Sequence, residues 1–165
     1  EVCSNCHAPD WVNNFYIQYD GLVELYNEKF AKPGKALYEL ATPVRDIQVP
    51  FANKIDWSWF ELWHHEGRRA RHGASMMAPD YTHWHGTYEV VRTFYTHMLP
   101  ELKELIEKGL HSDDPAKVEA AKQLQSKLDE VLNSDDHKWV LGKMDPEEEA
   151  RRQKAAEGFK QRYSK

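Results

Sequence analysis

Apolar residues recur at alternating spacings of three and four along most of this chain, the pattern of helices buried along one face. Val12, Phe15, Tyr19, Leu22 and Tyr26 mark the first such face and predict a helix over about 10–30. Pro9 suits its start, and Pro33-Gly34 predicts its end. A loop with Pro43 and Pro50 follows. A second helix is predicted over about 56–77, capped by Asp56 or Ser58 and broken by Ala78-Pro79-Asp80. From Asp80 onward, Trp84, Tyr88, Val91, Tyr95, Met98, Leu102 and Leu105 repeat four and three residues apart. That is a heptad seam along a long helix, which Pro100 is expected to kink. Asp114-Pro115 opens another helix, with Val118, Ala121, Leu124, Leu128 and Val131 as its buried stripe. A last, mostly polar helix is predicted from Asp145-Pro146. The tail after about Met144 is charged on most faces, so it is expected to be solvated or laid on a partner. No stretch predicts a strand, and none repeats at a fixed period. The fold class is mostly α, in three segments: 1–55, a helix and loop; 56–112, a His/Arg-rich helix and the long heptad helix; and 113–165, the C-terminal helices and polar tail.

The chain has 165 residues, enough for one domain and hardly two. Its aliphatic supply is thin. Leu, Ile, Val and Phe number about 33, about 20% of the chain, close to the level at which disorder sets in. Aromatic residues nevertheless make up 12%, with six Trp, which is not the composition of a disordered chain. A large apolar cofactor or a partner subunit is therefore expected to help hold the fold. The formal charge of -5 argues against nucleic acid or an anionic membrane as the main partner. No run of about 18 apolar residues exists, so no transmembrane helix is expected. No basic stretch followed by an apolar one marks a signal peptide.

Two cysteines, Cys3 and Cys6, are followed at once by His7. Cys-x-x-Cys-His is the attachment motif of c-type haem. The two thiols add across the haem vinyl groups, and the next histidine lies under the iron as proximal ligand. A zinc half-site would need two further ligands, and there is no second Cys pair. A thioredoxin-like pair would need a βαβ context, which the pattern lacks. The cofactor expected is haem c, which places the protein in a periplasm or an equivalent extracytoplasmic compartment. The motif starts at residue 3, which leads us to expect a piece of a longer chain, a proteolytic product, or a subunit docked on another.

Nine His are present, and five of them, His64, His65, His72, His83 and His85, fall between 64 and 85. His65 and His72 are two turns apart on one helical face, about 10 Å along the axis, too far for one iron but suited to two neighbouring haems. His64 points about 100° away from His65, with Arg68 and His72 as its neighbours. Arg68, Arg69 and Arg71 form either a solvated face or partners for haem propionates, since a guanidinium binds a carboxylate bidentately.

The stretch Trp63-His64-His65-Glu66-Gly67-Arg68-Arg69-Ala70-Arg71-His72-Gly73, followed by 76–86 reading Met-Met-Ala-Pro-Asp-Tyr-Thr-His-Trp-His-Gly, closely resembles the C-terminal part of octahaem hydroxylamine oxidoreductases. The resemblance covers roughly residues 1–110. It implies a mostly helical multihaem cytochrome c, of which this chain is the last haem-binding segment with a C-terminal bundle of long helices. The other seven haem motifs would lie upstream or on another chain. Tyr81 sits where the family has the tyrosine that crosslinks to the catalytic haem of a neighbouring subunit in a trimer. The resemblance implies oxidation of a small nitrogen compound, hydroxylamine first and hydrazine next, and an external cytochrome as electron acceptor. It makes His7 the proximal ligand of an electron-transfer haem. His65 and His72 become the leading distal-ligand candidates, then His64 and His85, although His85 would alternatively line the catalytic haem pocket. The long heptad helix resembles the family's three-fold contact, and the remaining haem-binding part of the enzyme becomes an expected partner. The family's acid/base pair near the catalytic iron has no counterpart here. The alternatives are a small monohaem electron carrier and a haem-bearing helical docking subunit.

Overall fold

A computed structural model describes residues 2–163, and the chain is helical almost throughout, with no strand among the described residues. It forms two compact units, Glu1–Lys127 and Leu128–Lys165.

Three helical rods make up the first unit as far as Leu110. The first runs through α1 (Pro9–Tyr26), a π turn (Asn27–Ala31) and α2 (Lys32–Ala41), ending in a 3-10 turn at Thr42–Val44. The stop expected at Pro33-Gly34 does not occur. Pro33 falls in the first turn of α2, immediately after the π turn, where a missing N–H is tolerated. Gly34 is buried for a different reason: a Cβ there would lie 2.9 Å from Leu62 Cδ2 and 3.2 Å from the Trp59 ring. Its bareness lets the second rod approach.

That rod comprises α3 (Lys54–Phe60), a π turn (Glu61–Glu66) and α4 (Gly67–Ser75). It begins two residues before the expected cap. Asn53 is the N-cap, and Asp56 is a buried residue of the first turn whose Oδ2 accepts from the Asn53 backbone and side-chain amides, each at 3.2 Å. Met77, at φ +53, turns the chain into the third rod.

The third rod holds α5 (Pro79–Thr82), a π turn (His83–Thr87), α6 (Tyr88–Arg92), a second π turn (Thr93–Met98) and α7 (Leu99–Leu110). Pro100 sits in the first turn of α7, and the helix continues through it. The heptad seam is not the buried stripe along its whole length. Met98 and Leu102 are buried, but Trp84 is 57% exposed and Tyr88 51%. The core stripe is Val90, Phe94, Met98, Leu102 and Ile106. Each π turn spends one residue more than an α turn, so two of them shift the face that a straight heptad count assigns. Phe94 meets Phe30 of the first rod edge-on at 5.5 Å, and Leu37, Val44, Ile55 and Leu62 complete the apolar centre.

The second and third rods touch backbone to backbone at Gly86. A Cβ there would fall 2.6 Å from Ala70 Cα and 2.9 Å from Ala70 N. Helix α4 cannot retreat without losing its own packing, so Gly86→Ala is expected to destabilise the unit by about 1–3 kcal/mol. Urea unfolding followed by circular dichroism reads this directly, and an unchanged midpoint would refute the close contact.

Helix α8 (Pro115–Asn133) opens as expected, with Asp114 Oδ1 accepting from the Ala116 amide at 2.9 Å. Its Ala121, Leu124, Leu128 and Val131 are buried, and the boundary between the two units falls within it. In the second unit a 3-10 turn (Lys138–Leu141) ends at Gly142, at φ +71. Lys138 Nζ ties Asp135 (2.7 Å) to Asp145 (2.9 Å). Helix α9 (Pro146–Tyr163) follows, and no residue of 146–162 is buried, as the polar tail predicts. No helix among the described residues is long and apolar enough to cross a membrane.

Candidate functional site

The Cys-x-x-Cys-His motif folds as one tight turn ahead of α1. Cys6 N–H donates to Cys3 O at 3.2 Å, and His7 N–H donates to the same carbonyl at 2.9 Å. Both thiols are free and exposed, and His7 is exposed with them. The donor set fits haem c: two unpaired thiols spaced by one turn and an imidazole immediately after. The His7 ring stacks on Trp11, with centroids 3.9 Å apart and planes within 10°.

A second group forms where α4 meets the start of the third rod. His64, His65, Arg68, Arg69, His72 and Tyr81 line one shallow concavity of about 200 Å³. These six residues, singled out from widely separated considerations of spacing and resemblance, share a surface. The π turn over Glu61–Glu66 carries His64 and His65, and α4 carries Arg68, Arg69 and His72 one and two turns on. Arg68 Nη1 lies 3.2 Å from His64 Nε2. Arg69 is not free for a propionate as it stands, because it pairs with Glu89 Oε2 at 3.0 Å. Glu89 Oε1 in turn lies 3.7 Å from His85 Nδ1, so one carboxylate faces both Arg69 and His85. His85 sits beside Tyr81, ring centroids 5.4 Å apart. Tyr81 is 44% exposed at the start of the third rod. Among the described residues no three His, Cys, Asp or Glu side chains converge on one metal-sized point. The imidazoles of the concavity are spread along it and do not share one point. His83 is placed elsewhere, in a groove of about 480 Å³ lined also by Phe15, Tyr19, Leu22 and Met77.

Sequence reasoning passed over Glu66. It is 8% exposed, and its Oε2 has no hydrogen-bond partner among the described residues. Burial pushes its carboxyl up to about 7, helped by Glu61 and Glu89 and opposed by its own backbone amide and Arg69. Tyr26 lies close by: its hydroxyl donates to Leu62 O at 3.2 Å, and Arg71 lies 5.7 Å over its ring. Burial raises the Tyr26 phenol to about 12, against the pull of Arg71. A signal for Glu66 was present, since Leu62, Glu66, Ala70 and Gly73 step by four, four and three and are all buried. A carboxylate on an apolar stripe marks a buried acid.

No family model, no curated protein and no solved structure matches this chain.

Proposed function

We propose that this chain is a segment of a multihaem c-type oxidoreductase acting on small nitrogen compounds, hydroxylamine oxidation first and hydrazine oxidation next. The observation that carries the reading is the combination of one Cys3-Cys6-His7 turn with a concavity collecting His64, His65, His72, Arg68, Arg69 and Tyr81. Cys3 and Cys6 would hold haem c through thioethers, with His7 as proximal ligand. His65 and His72, and then His64 and His85, are the donors for axial positions on further haems. Bound haem supplies single-electron transfer, and the protein supplies ligands, charge and spacing. Arg68, whose polar side-chain contact among the described residues is the His64 ring, is the better placed of the two arginines for a propionate; Arg69 would have to share Glu89. Tyr81 presents its ring to solvent, as a crosslink to a neighbouring subunit's haem requires. The expected partners are the remaining haem-binding part of the enzyme, two further copies in a trimer, and an external cytochrome, in a periplasm or its equivalent.

Half-exposed Trp57, Trp63, Trp84 and Tyr88 favour a surface covered in the working assembly. They also support the second reading, a haem-bearing helical docking subunit. Denaturing electrophoresis with haem staining, together with intact mass, separates these on protein from its native host. The first reading expects a haem-positive species far above 19.4 kDa that survives boiling. A single haem-positive band at this chain's mass plus about 0.6 kDa, the weight of one haem, would remove the role of Tyr81 and leave a monohaem protein.

A further inference from the structure

The backbone brings His7 beside Trp11, and burial does not force their rings together. Cys3–Asn5 forms a 3-10 turn, and the His7 amide closes back on Cys3 O at 2.9 Å. Ala8 precedes Pro9 and is therefore held extended, at ψ 146. Pro9 then opens α1, and the amides of Trp11 and Val12 both donate to Ala8 O, at 3.1 and 3.2 Å. Along this route the two side chains meet, and their rings lie face to face, 3.9 Å between centroids and 10° between planes. Both residues are exposed, Trp11 by 43%, so crowding in a core does not force the contact. A second α1 ring pair with comparable planes is looser: Phe15 and Tyr19 lie 6.1 Å apart, with planes within 12°.

From this geometry we infer that Trp11 is a positioning residue for His7, fixing the plane of the imidazole and covering one of its faces. The inference rests on the reading of His7 as proximal ligand of haem c. Two consequences follow from elementary physics. An imidazole locked in rotation presents one orientation of its ligand orbitals, and hence one set of electronic axes, to whatever metal it binds. The face of an indole is electron-rich and attracts positive charge, by an amount that at exposed sites alters an equilibrium by about threefold. An iron–imidazole unit carries one more positive charge when oxidised, so the stack favours the oxidised form.

The test uses the full chain made with c-type haem attachment machinery, as wild type and as Trp11→Ala, Trp11→Phe and Tyr16→Ala. Tyr16 is an exposed ring on the same helix that faces Phe15 and not His7. Redox titration followed by haem absorbance, low-temperature electron paramagnetic resonance, and proton NMR of the haem-free chain are the readouts. At a fixed electrode potential, Trp11→Ala is expected to raise the ratio of reduced to oxidised haem about threefold. Trp11→Phe should fall between, and Tyr16→Ala should not move it. The Trp11→Ala resonance spectrum should broaden or shift as the ring plane is released. In the haem-free wild type the His7 ring protons should lie upfield, and Trp11→Ala should return them to ordinary values.

Haem attached normally to Trp11→Ala, with unchanged potential and resonance spectrum, would overturn the inference and leave the haem reading intact. If Trp11→Ala does not take up haem, Trp11→Phe decides: an unchanged potential there overturns the inference, and an intermediate one supports it. Wild type that never forms the thioethers would defeat the haem reading and this inference together. Upfield His7 protons in that same sample would still report the stack itself.

Discussion

Arg45→Ala is expected to lower the unfolding free energy of the first unit by about 3–5 kcal/mol. The Arg45 guanidinium pairs with Asp56 Oδ1, with side-chain exposures of 9% and 2%. Asp56 is served on every side: Tyr38 Oη donates to Oδ1 at 3.0 Å, and both Asn53 amides reach Oδ2 at 3.2 Å. Arg45 also donates through Nε to Thr42 O at 3.3 Å and lies 5.7 Å over the Tyr38 ring. Burial works against the Asp56 charge, but the bonds from Asn53, Tyr38 and Arg45 outweigh it and hold the carboxyl below its ordinary value. Removing Arg45 leaves that carboxylate buried without its counter-charge. Replacing both partners by apolar residues, Arg45→Met with Asp56→Leu, is expected to hurt much less than Arg45→Ala, because no charge is then stranded. Urea unfolding of the three proteins at neutral pH checks this. A single variant within about 1 kcal/mol of wild type, the level of a surface pair, would mean that the network carries no stability.

Glu66 makes the second large effect, and its sign is opposite to that of most carboxylates. In the unfolded chain it titrates at its ordinary 4.5, and in the folded chain at about 7. Between those values the native state keeps a proton that the unfolded state has released, so stability falls as pH rises across this window. Above about 7 the loss is complete, and the gap corresponds to about 3 kcal/mol. Glu66→Gln mimics the protonated form and should abolish the dependence. The variant should match wild type near pH 4.5 and exceed it by about 2–3 kcal/mol at pH 8. Denaturation of the chain at four pH values between 4.5 and 8 reads the slope. Parallel profiles for the two proteins would show that Glu66 does not titrate in this range.

The helices were legible because their buried faces recur at three and four, and because Asp114-Pro115 and Asp145-Pro146 are unambiguous starts. The candidate concavity was legible because His64, His65, Arg68, Arg69 and His72 lie within three turns of chain, and Tyr81 came through resemblance. What could not be read was set by contacts distant in sequence or by geometry without a residue signature. Pro33-Gly34 looks like a helix stop, yet Gly34 is there for Leu62 and Trp59. The π turns have no composition of their own, so the seam through Trp84 and Tyr88 was placed one face away from the core. Asp56, like Ser58, looks like a cap in the sequence because two of its partners, Tyr38 and Arg45, come from the preceding rod and loop. Arg69 looked available because nothing nearby in the sequence announces Glu89.

The π turns at Asn27–Ala31, Glu61–Glu66, His83–Thr87 and Thr93–Met98 also bear on how such a chain tolerates changes of length. Each holds one surplus residue in a bulge while the α-helical stretches on either side keep their own phase. Loss of a residue within an α stretch rotates everything beyond it by about 100° and turns a buried face to water. Loss of one within a π turn lets the ladder relax to ordinary α geometry and leaves both flanks where they were. Insertions and deletions along a lineage would therefore collect at these four places, where a change of one residue leaves the rods without need of repacking.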